Sequence, residues 1–226
     1  STGTVTLTGP APAGGALVTL ADNSASANTP ASVTVPAGAT SATFNVTTIA
    51  VGAVTTATIT GNYNGAQAGT LTINPGQLSS VAMSPTSLTG GSPSTGTVTL
   101  TGAAPAGGTV VTLSDNSGSA TTPASVTVAA GATTATFNVT TVAVGATATV
   151  TISATLGGST QTANLTINAP VLSNLTMSPT SVNGGSSSTG TVTLSSAAPA
   201  GGAVVTLSDD SSSSNTPASV TVAAGA

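Results

Sequence analysis

The heptapeptide Ser94-Thr95-Gly96-Thr97-Val98-Thr99-Leu100 decides the fold. Its end alternates apolar and hydroxyl side chains, Val98 and Leu100 against Thr97 and Thr99. Successive side chains of an extended strand point to opposite faces, so this alternation describes a strand with one dry face and one wet face. The same seven residues occur at Ser1–Leu7 and again at Ser188–Leu194, giving spacings of 93 and 94 residues. A second block keeps the same phase: Asn28–Ala39 (NTPASVTVPAGA), Thr121–Ala132 (TTPASVTVAAGA) and Asn215–Ala226 (NTPASVTVAAGA). The chain of 226 residues is therefore a tandem repeat.

Solenoid and propeller-blade repeats run about 20 to 50 residues. A unit of 93 or 94 residues is instead the size of one immunoglobulin-like sandwich, roughly 100 residues. Within the middle period, strands are expected over Leu78–Met83, Thr95–Thr101, Thr109–Ser114, Ala124–Val128, Thr134–Thr141, Thr147–Thr155 and Gln161–Asn168. Pro85–Gly91 is expected to bend the chain and end the first strand. Pro105-Ala106-Gly107-Gly108 and Gly157-Gly158 break the pattern between strands, and Asn64-Gly65 takes the place of the second pair in the first period. No stretch has helical periodicity. The expected fold class is all-β: tandem immunoglobulin-like β-sandwich domains of about seven antiparallel strands each, in a rod-like array.

The inward residues are Val, Leu and Ile, with Phe44, Phe137 and Tyr63 the only aromatics, so the expected core is aliphatic and thin. Branched residues and threonine suit pleated strands, where they pack well on the sheet surface.

Composition excludes more functions than any motif suggests. There is no Lys, Arg, His or Cys, and the acidic residues number four. Nucleic-acid binding requires cationic side chains that displace counterions from phosphates, and anionic membranes attract proteins by the same charges. Acid–base and nucleophilic catalysis draws on His, Cys, Lys or paired carboxylates. Asp209 and Asp210 are adjacent and point to opposite sides of an extended chain. Zinc sites need His and Cys. No catalytic, cofactor-binding or metal-ligating residue is therefore expected, and neither is a cofactor, a small-molecule substrate or a nucleic-acid partner. No apolar run approaches the roughly 20 residues of a spanning helix, so no membrane insertion is expected in this segment. The chain opens directly on Thr4-Val5-Thr6-Leu7, so a secretory leader is not expected in it, and an interior piece of a longer product is.

The run Leu78-Ser-Ser-Val-Ala-Met-Ser-Pro-Thr-Ser-Leu-Thr-Gly-Gly91 resembles the opening of bacterial Ig-like repeats of large secreted and surface proteins. Pro123–Ala132 and Ala135-Thr-Phe-Asn-Val139 carry the same resemblance. It implies tandem modules in stalks, adhesins or surface fibres, and it brings no catalytic residues. In that frame the domains run over 1–74, lacking a first strand; 78–168, complete; and 172–226, the N-terminal part of a third. The joints are Asn74-Pro75-Gly76-Gln77 and Asn168-Ala169-Pro170, where proline limits backbone freedom.

Asp22, Asp115 and Asp209 occupy equivalent positions, each after Val-Thr-Leu-(Ala/Ser). One reading is interdomain calcium, which takes six to eight oxygen ligands with several carboxylates. The other is a loop Asp that accepts from its own backbone, and one or two carboxylates per repeat favour it. Asn45, Asn138, Asn164 and Asn174 begin Asn-x-Thr triplets, which arise readily by chance in a threonine-rich chain.

Exposed edge strands are ordinarily guarded by charge, lysine above all. This chain has no lysine, so association with other copies of itself, as a fibre or laterally, is the expected partnership. The expected function is a non-enzymatic extracellular or cell-surface structural protein, the repeat body of a fibre, filament or surface layer. The alternative is the stalk of an adhesin whose binding domain lies outside this segment.

Overall fold

A computed structural model describes residues Ser1–Ala226 and contains strands and turns without a helix. The first repeat contributes β1 (Thr2–Thr6), β2 (Ala16–Asp22), β3 (Ala27–Asn28), β4 (Ser32–Val35), β5 (Ser41–Asn45), β6 (Thr47–Thr48), β7 (Thr55–Asn62) and β8 (Ala66–Ile73). The middle repeat contributes β9 (Leu78–Ser84), β10 (Ser87–Thr89), β11 (Ser94–Leu100), β12 (Thr109–Asp115), β13 (Ala120–Thr121), β14 (Ser125–Val128), β15 (Thr134–Thr141), β16 (Ala148–Leu156) and β17 (Ser159–Asn168). The last carries β18 (Leu172–Ser178), β19 (Thr189–Leu194), β20 (Ala203–Thr206) and β21 (Ser219–Val222).

The middle repeat shows the full architecture. One sheet has the order β10-β17-β16-β12-β14 and the other β13-β15-β11-β9. Alternation does what it predicts: Val98, Val111, Val128, Val139, Val150, Ile152, Leu165 and Ile167 are buried while their neighbours face outward. In the first repeat the sheet β4-β2-β7-β8 faces the pairs β1-β5 and β3-β6. Val18, Leu20 and Val35 from one layer pack against Val5, Ala42 and Phe44 from the other. The all-β sandwich expected from periodicity is the fold observed.

Two details differ from expectation. Pro85–Gly91 does not simply bend: Ser87–Thr89 forms β10, and β10 pairs parallel with β17, against the expectation of antiparallel strands throughout. The two-residue strand β13 is also new, pairing with Thr140–Thr141 of β15. The middle repeat thus has nine strands, two of them too short to show a period.

Packing divides the chain into two compact units. One comprises Ser1–Gln77 with Leu100–Thr109 and Thr127–Thr134; the other comprises Leu78–Thr99, Val110–Val126 and Ala135–Ala226. In the first unit, two loop pieces of the middle repeat pack with the first repeat. Pro105 lies against Gly52, and Gly76 approaches Gly102 so closely that a Cβ on Gly76 would meet the Gly102 carbonyl at 2.8 Å. In the second unit, Pro199 takes the equivalent place beside Gly145.

Candidate functional site

The repeated aspartates close their own loops. At the end of β2, Asp22 Oδ1 accepts the Ser24 N–H at 3.2 Å and Oδ2 the Thr29 N–H at 3.1 Å. At the end of β12, Asp115 accepts the N–H groups of Ser117 and Thr122 at 3.4 and 3.0 Å, and the Thr122 hydroxyl at 2.8 Å. Asp209 accepts from the Thr216 N–H at 3.0 Å. Side-chain oxygens that bond to backbone donors two residues on are the usual means by which Asp fixes a turn.

These contacts also move acidity. The Thr29 hydroxyl beside Asp22, with the Ser24 and Thr29 N–H groups that donate to it, holds the Asp22 carboxyl below its usual 3.8. Thr216 and Ser214 hold Asp209 below the same value. Hydrogen bonds to the ionised form favour it, which is the cause in both cases. No three residues of His, Cys, Asp or Glu type come together in the chain.

The residue after each aspartate does further work that the sequence alone did not signal. Asn23 Oδ1 accepts the Thr58 N–H of β7 at 2.8 Å, and Asn116 Oδ1 accepts the Thr151 N–H of β16 at 2.9 Å. Asp-Asn-Ser therefore staples its loop to the neighbouring strand. The last repeat has Asp209-Asp210-Ser211 instead. Asn45, Asn138, Asn164 and Asn174 all lie exposed on strands.

The first repeat carries a groove of about 380 Å³ along β1 and β8, lined by Val5, Leu7, Phe44, Ile59, Tyr63 and Leu71 among others. Tyr63 is its one titratable side chain. Its lining mixes these apolar side chains with the polar Thr2, Thr4, Thr6, Gln67 and Thr70.

The strongest polar arrangement lies where the middle repeat's early and final strands meet. Ser87, Leu88 and Thr89 of β10 face Thr166, Ile167 and Asn168 of β17 in parallel register. The ladder is extended at both ends: Thr166 N–H donates to the Thr86 carbonyl at 2.8 Å and Gly90 N–H to the Asn168 carbonyl at 3.2 Å. Asn168 Nδ2 adds a bond to Ser87 Oγ at 2.9 Å. Beneath them Leu88 and Ile167 are buried. Close by, Thr141 Oγ1 donates to the Ser92 carbonyl at 2.6 Å and accepts the Gly91 N–H at 3.1 Å, anchoring the turn after β10.

No family model matches the chain, and no curated protein matches it. Among solved structures, it is similar to the D0-D1 domain of Intimin, with a TM-score of 0.35 and 15% identity over 74% of this chain and 88% of that one. It is also similar to the D00-D0 domain of Intimin, with a TM-score of 0.33 and 15% identity over 75% and 92% of the two chains.

Proposed function

We propose that the chain is a non-enzymatic, load-bearing spacer of the cell surface, in which each repeat is a module that resists extension. The observation that carries this reading is the parallel β10–β17 pair. Tension along the chain pulls the start of β10 one way and the end of β17 the other. In a parallel pair those pulls slide the strands past each other and load every ladder bond together. An end-to-end antiparallel hairpin would instead open one bond at a time. Evenly spaced parallel bonds share that load, and forced unfolding is governed by the height of such a barrier.

Composition supports the same reading. An exterior of Ser, Thr and Asn with four carboxylates offers little for nucleic acid or catalysis and much for an inert extracellular surface. The proposal extends to the body of a surface fibre. An adhesin stalk is the second reading, favoured by the paired hydrogen bonds at both joints, Gln77 with Thr101 and Val171 with Ser195, which suit a module whose task is spacing.

Pulling single molecules by their two ends tests the proposal. Release of residues 78–168 should appear as a discrete force peak followed by a lengthening on the order of 300 Å, at about 3.3–3.6 Å per residue. Leu88→Ala should lower that peak. Extension without a resolvable peak for the middle repeat would remove the basis for a load-bearing role.

A further inference from the structure

We propose that β4 and its equivalents β14 and β21 are the strands through which copies of this chain join laterally, each pairing antiparallel with the same strand of a second copy.

The three strands share one block of sequence. Pro-Ala-Ser-Val-Thr-Val stands unchanged at Pro30–Val35, Pro123–Val128 and Pro217–Val222. The core accounts for only part of that identity. Val35 and Val128 are fully buried and Val33 and Val126 half-buried, whereas Pro30, Ala31, Ser32, Thr34 and their counterparts in the middle repeat are exposed. Exposed positions elsewhere differ between repeats: Ala66, Ala68 and Thr70 of β8 correspond to Thr160, Thr162 and Asn164 of β17. A demand from outside the core therefore acts on this strand.

The strand is also an open edge. β4 ends the sheet β4-β2-β7-β8, and β14 ends the five-stranded sheet of the middle repeat in the same way. The register shows which backbone groups are free. Val18 lies opposite Val33 and Ala16 opposite Val35, and in the same register the Leu20 N–H donates to the Ala31 carbonyl at 2.8 Å. Bonded and non-bonded pairs alternate along an antiparallel ladder. Ala31, Val33 and Val35 thus turn their N–H and C=O groups toward β2, while Ser32 and Thr34 turn theirs away from the sheet. The matching bonds from Leu113 to Ala124 and from Leu207 to Ala218 give Ser125, Thr127, Ser219 and Thr221 the same outward phase.

The occupant that fits this edge is the edge itself, turned by a two-fold rotation about Val33. Ser32 then faces Thr34 of the second copy, Thr34 faces its Ser32, and the free groups close four N–H to C=O bonds. The two Val33 residues meet as a non-bonded pair, about 4.5 Å apart at Cα, and each covers the half-exposed flank of the other. Pro30 and Pro36 share the outward phase of Ser32 and Thr34 and have no N–H, so they end the ladder on both sides and hold it to this register. In the middle repeat Pro123 suffices, because the rotation brings one proline to each end. No ionisable side chain occurs in Pro30–Pro36, Pro123–Ala129 or Pro217–Ala223, so no like charge opposes the approach and the lysine that usually guards such an edge is missing. A chain with three of these strands can take more than one neighbour, which carries assembly past a dimer. Such pairing rests on the fibre reading but uses no bond of the β10–β17 ladder, so the force peak of the middle repeat should be the same with and without it.

The test follows the full chain by sedimentation across a wide concentration range, with amide hydrogen exchange read residue by residue at both extremes. The average mass should rise with concentration and pass that of a dimer. In dilute solution the Ser32 and Thr34 amides should exchange fast, beside a slow Val33 amide bonded to β2. In concentrated solution those two amides and their counterparts in the other repeats should slow by more than roughly tenfold. A variant with Thr34→Lys, Thr127→Lys and Thr221→Lys places a charged guard on each edge and should stay monomeric, its affinity weakened more than roughly tenfold. Valine at the same three positions keeps the strand uncharged and should leave association as it was. Should the lysine variant fail to fold, the exchange pattern of the natural chain decides alone. A natural chain that is monomeric at every concentration, association that leaves the Ser32 and Thr34 amides fast, or a folded lysine variant that associates like the natural chain would each overturn the proposal. Loss of the force peak with these results intact would count against the load-bearing role alone.

Discussion

Thr101 and Gln77 hold each other twice. The Thr101 N–H donates to the Gln77 carbonyl at 2.8 Å, and the Gln77 N–H donates to the Thr101 hydroxyl at 2.9 Å. The same ring closes one repeat later, where Ser195 and Val171 exchange bonds of 2.8 and 3.0 Å. Each joint residue is thereby tied to the strand that ends beside it.

Replacing the Thr101 hydroxyl by a methyl group tests this tie. Thr101→Val keeps the shape and removes the acceptor of Gln77. A hydrogen bond of this kind contributes about 0.5–1.5 kcal/mol net. The Gln77 amide should therefore exchange with solvent up to about tenfold faster, while amides in the core of β16 stay unchanged. Hydrogen exchange read by NMR measures both, and an unchanged Gln77 rate would mean that the ring does not restrain the joint.

A second prediction concerns glycine under an aromatic ring. Gly96 lies beneath Phe137, and Gly3 lies opposite Phe44 in the β1–β5 register; a Cβ on either glycine would run into the ring. Gly96→Ala should destabilise the middle repeat by about 1–3 kcal/mol, the usual cost of overpacking. Gly3→Ala should cost less, since Phe44 is half-buried beside an open groove and has room to shift. Urea unfolding followed through resolved signals of each repeat gives the comparison. Equal costs would show that the groove offers no relief.

Acid should loosen two of the aspartate loops. Asp22 and Asp209 have folded values below their ordinary 3.8. A lowered carboxylate contributes stability above its unfolded pKa and loses it as pH falls through the folded value. The loops should thus be tight at neutral pH and begin to open only below 3.8, seen as faster exchange of the Ser24, Thr29 and Thr216 amides. Asp22→Asn should remove the acid dependence at Ser24 and Thr29 and leave that at Thr216.

Calcium should leave these loops alone. Both carboxylate oxygens of Asp22, and both of Asp115, already accept hydrogen bonds from their own loops. A calcium ion wants six to eight oxygen ligands with several carboxylates. Titration with millimolar calcium should shift neither the Asp22 nor the Asp115 loop signals nor the unfolding midpoint. A saturable shift would assign a metal to them after all.

Much of the fold was legible because its elements announce themselves locally. Thr-Val-Thr-Leu alternation marks β11, and an Asp after each Val-Thr-Leu-(Ala/Ser) marks the loops that Asp22 and Asp115 close. β10 was not legible, for a physical reason. Ser87-Leu88-Thr89 has a single apolar residue between Pro85 and the Gly90-Gly91 pair, too little for a period to show. Its partner Thr166–Asn168 is far away in the sequence, so its parallel register is decided by the finished sandwich. Asn23 and Asn116 escaped notice because asparagine beside aspartate reads as ordinary loop chemistry, and their acceptors are aimed by tertiary structure.

Tyr63 has a practical consequence. It is the chain's only tyrosine, there is no tryptophan, and its ring lines the groove. The whole intrinsic ultraviolet emission above the phenylalanine band therefore comes from one spot. Unfolding of the first repeat should change its brightness without any dye or label, so the molecule carries its own optical gauge of that repeat alone.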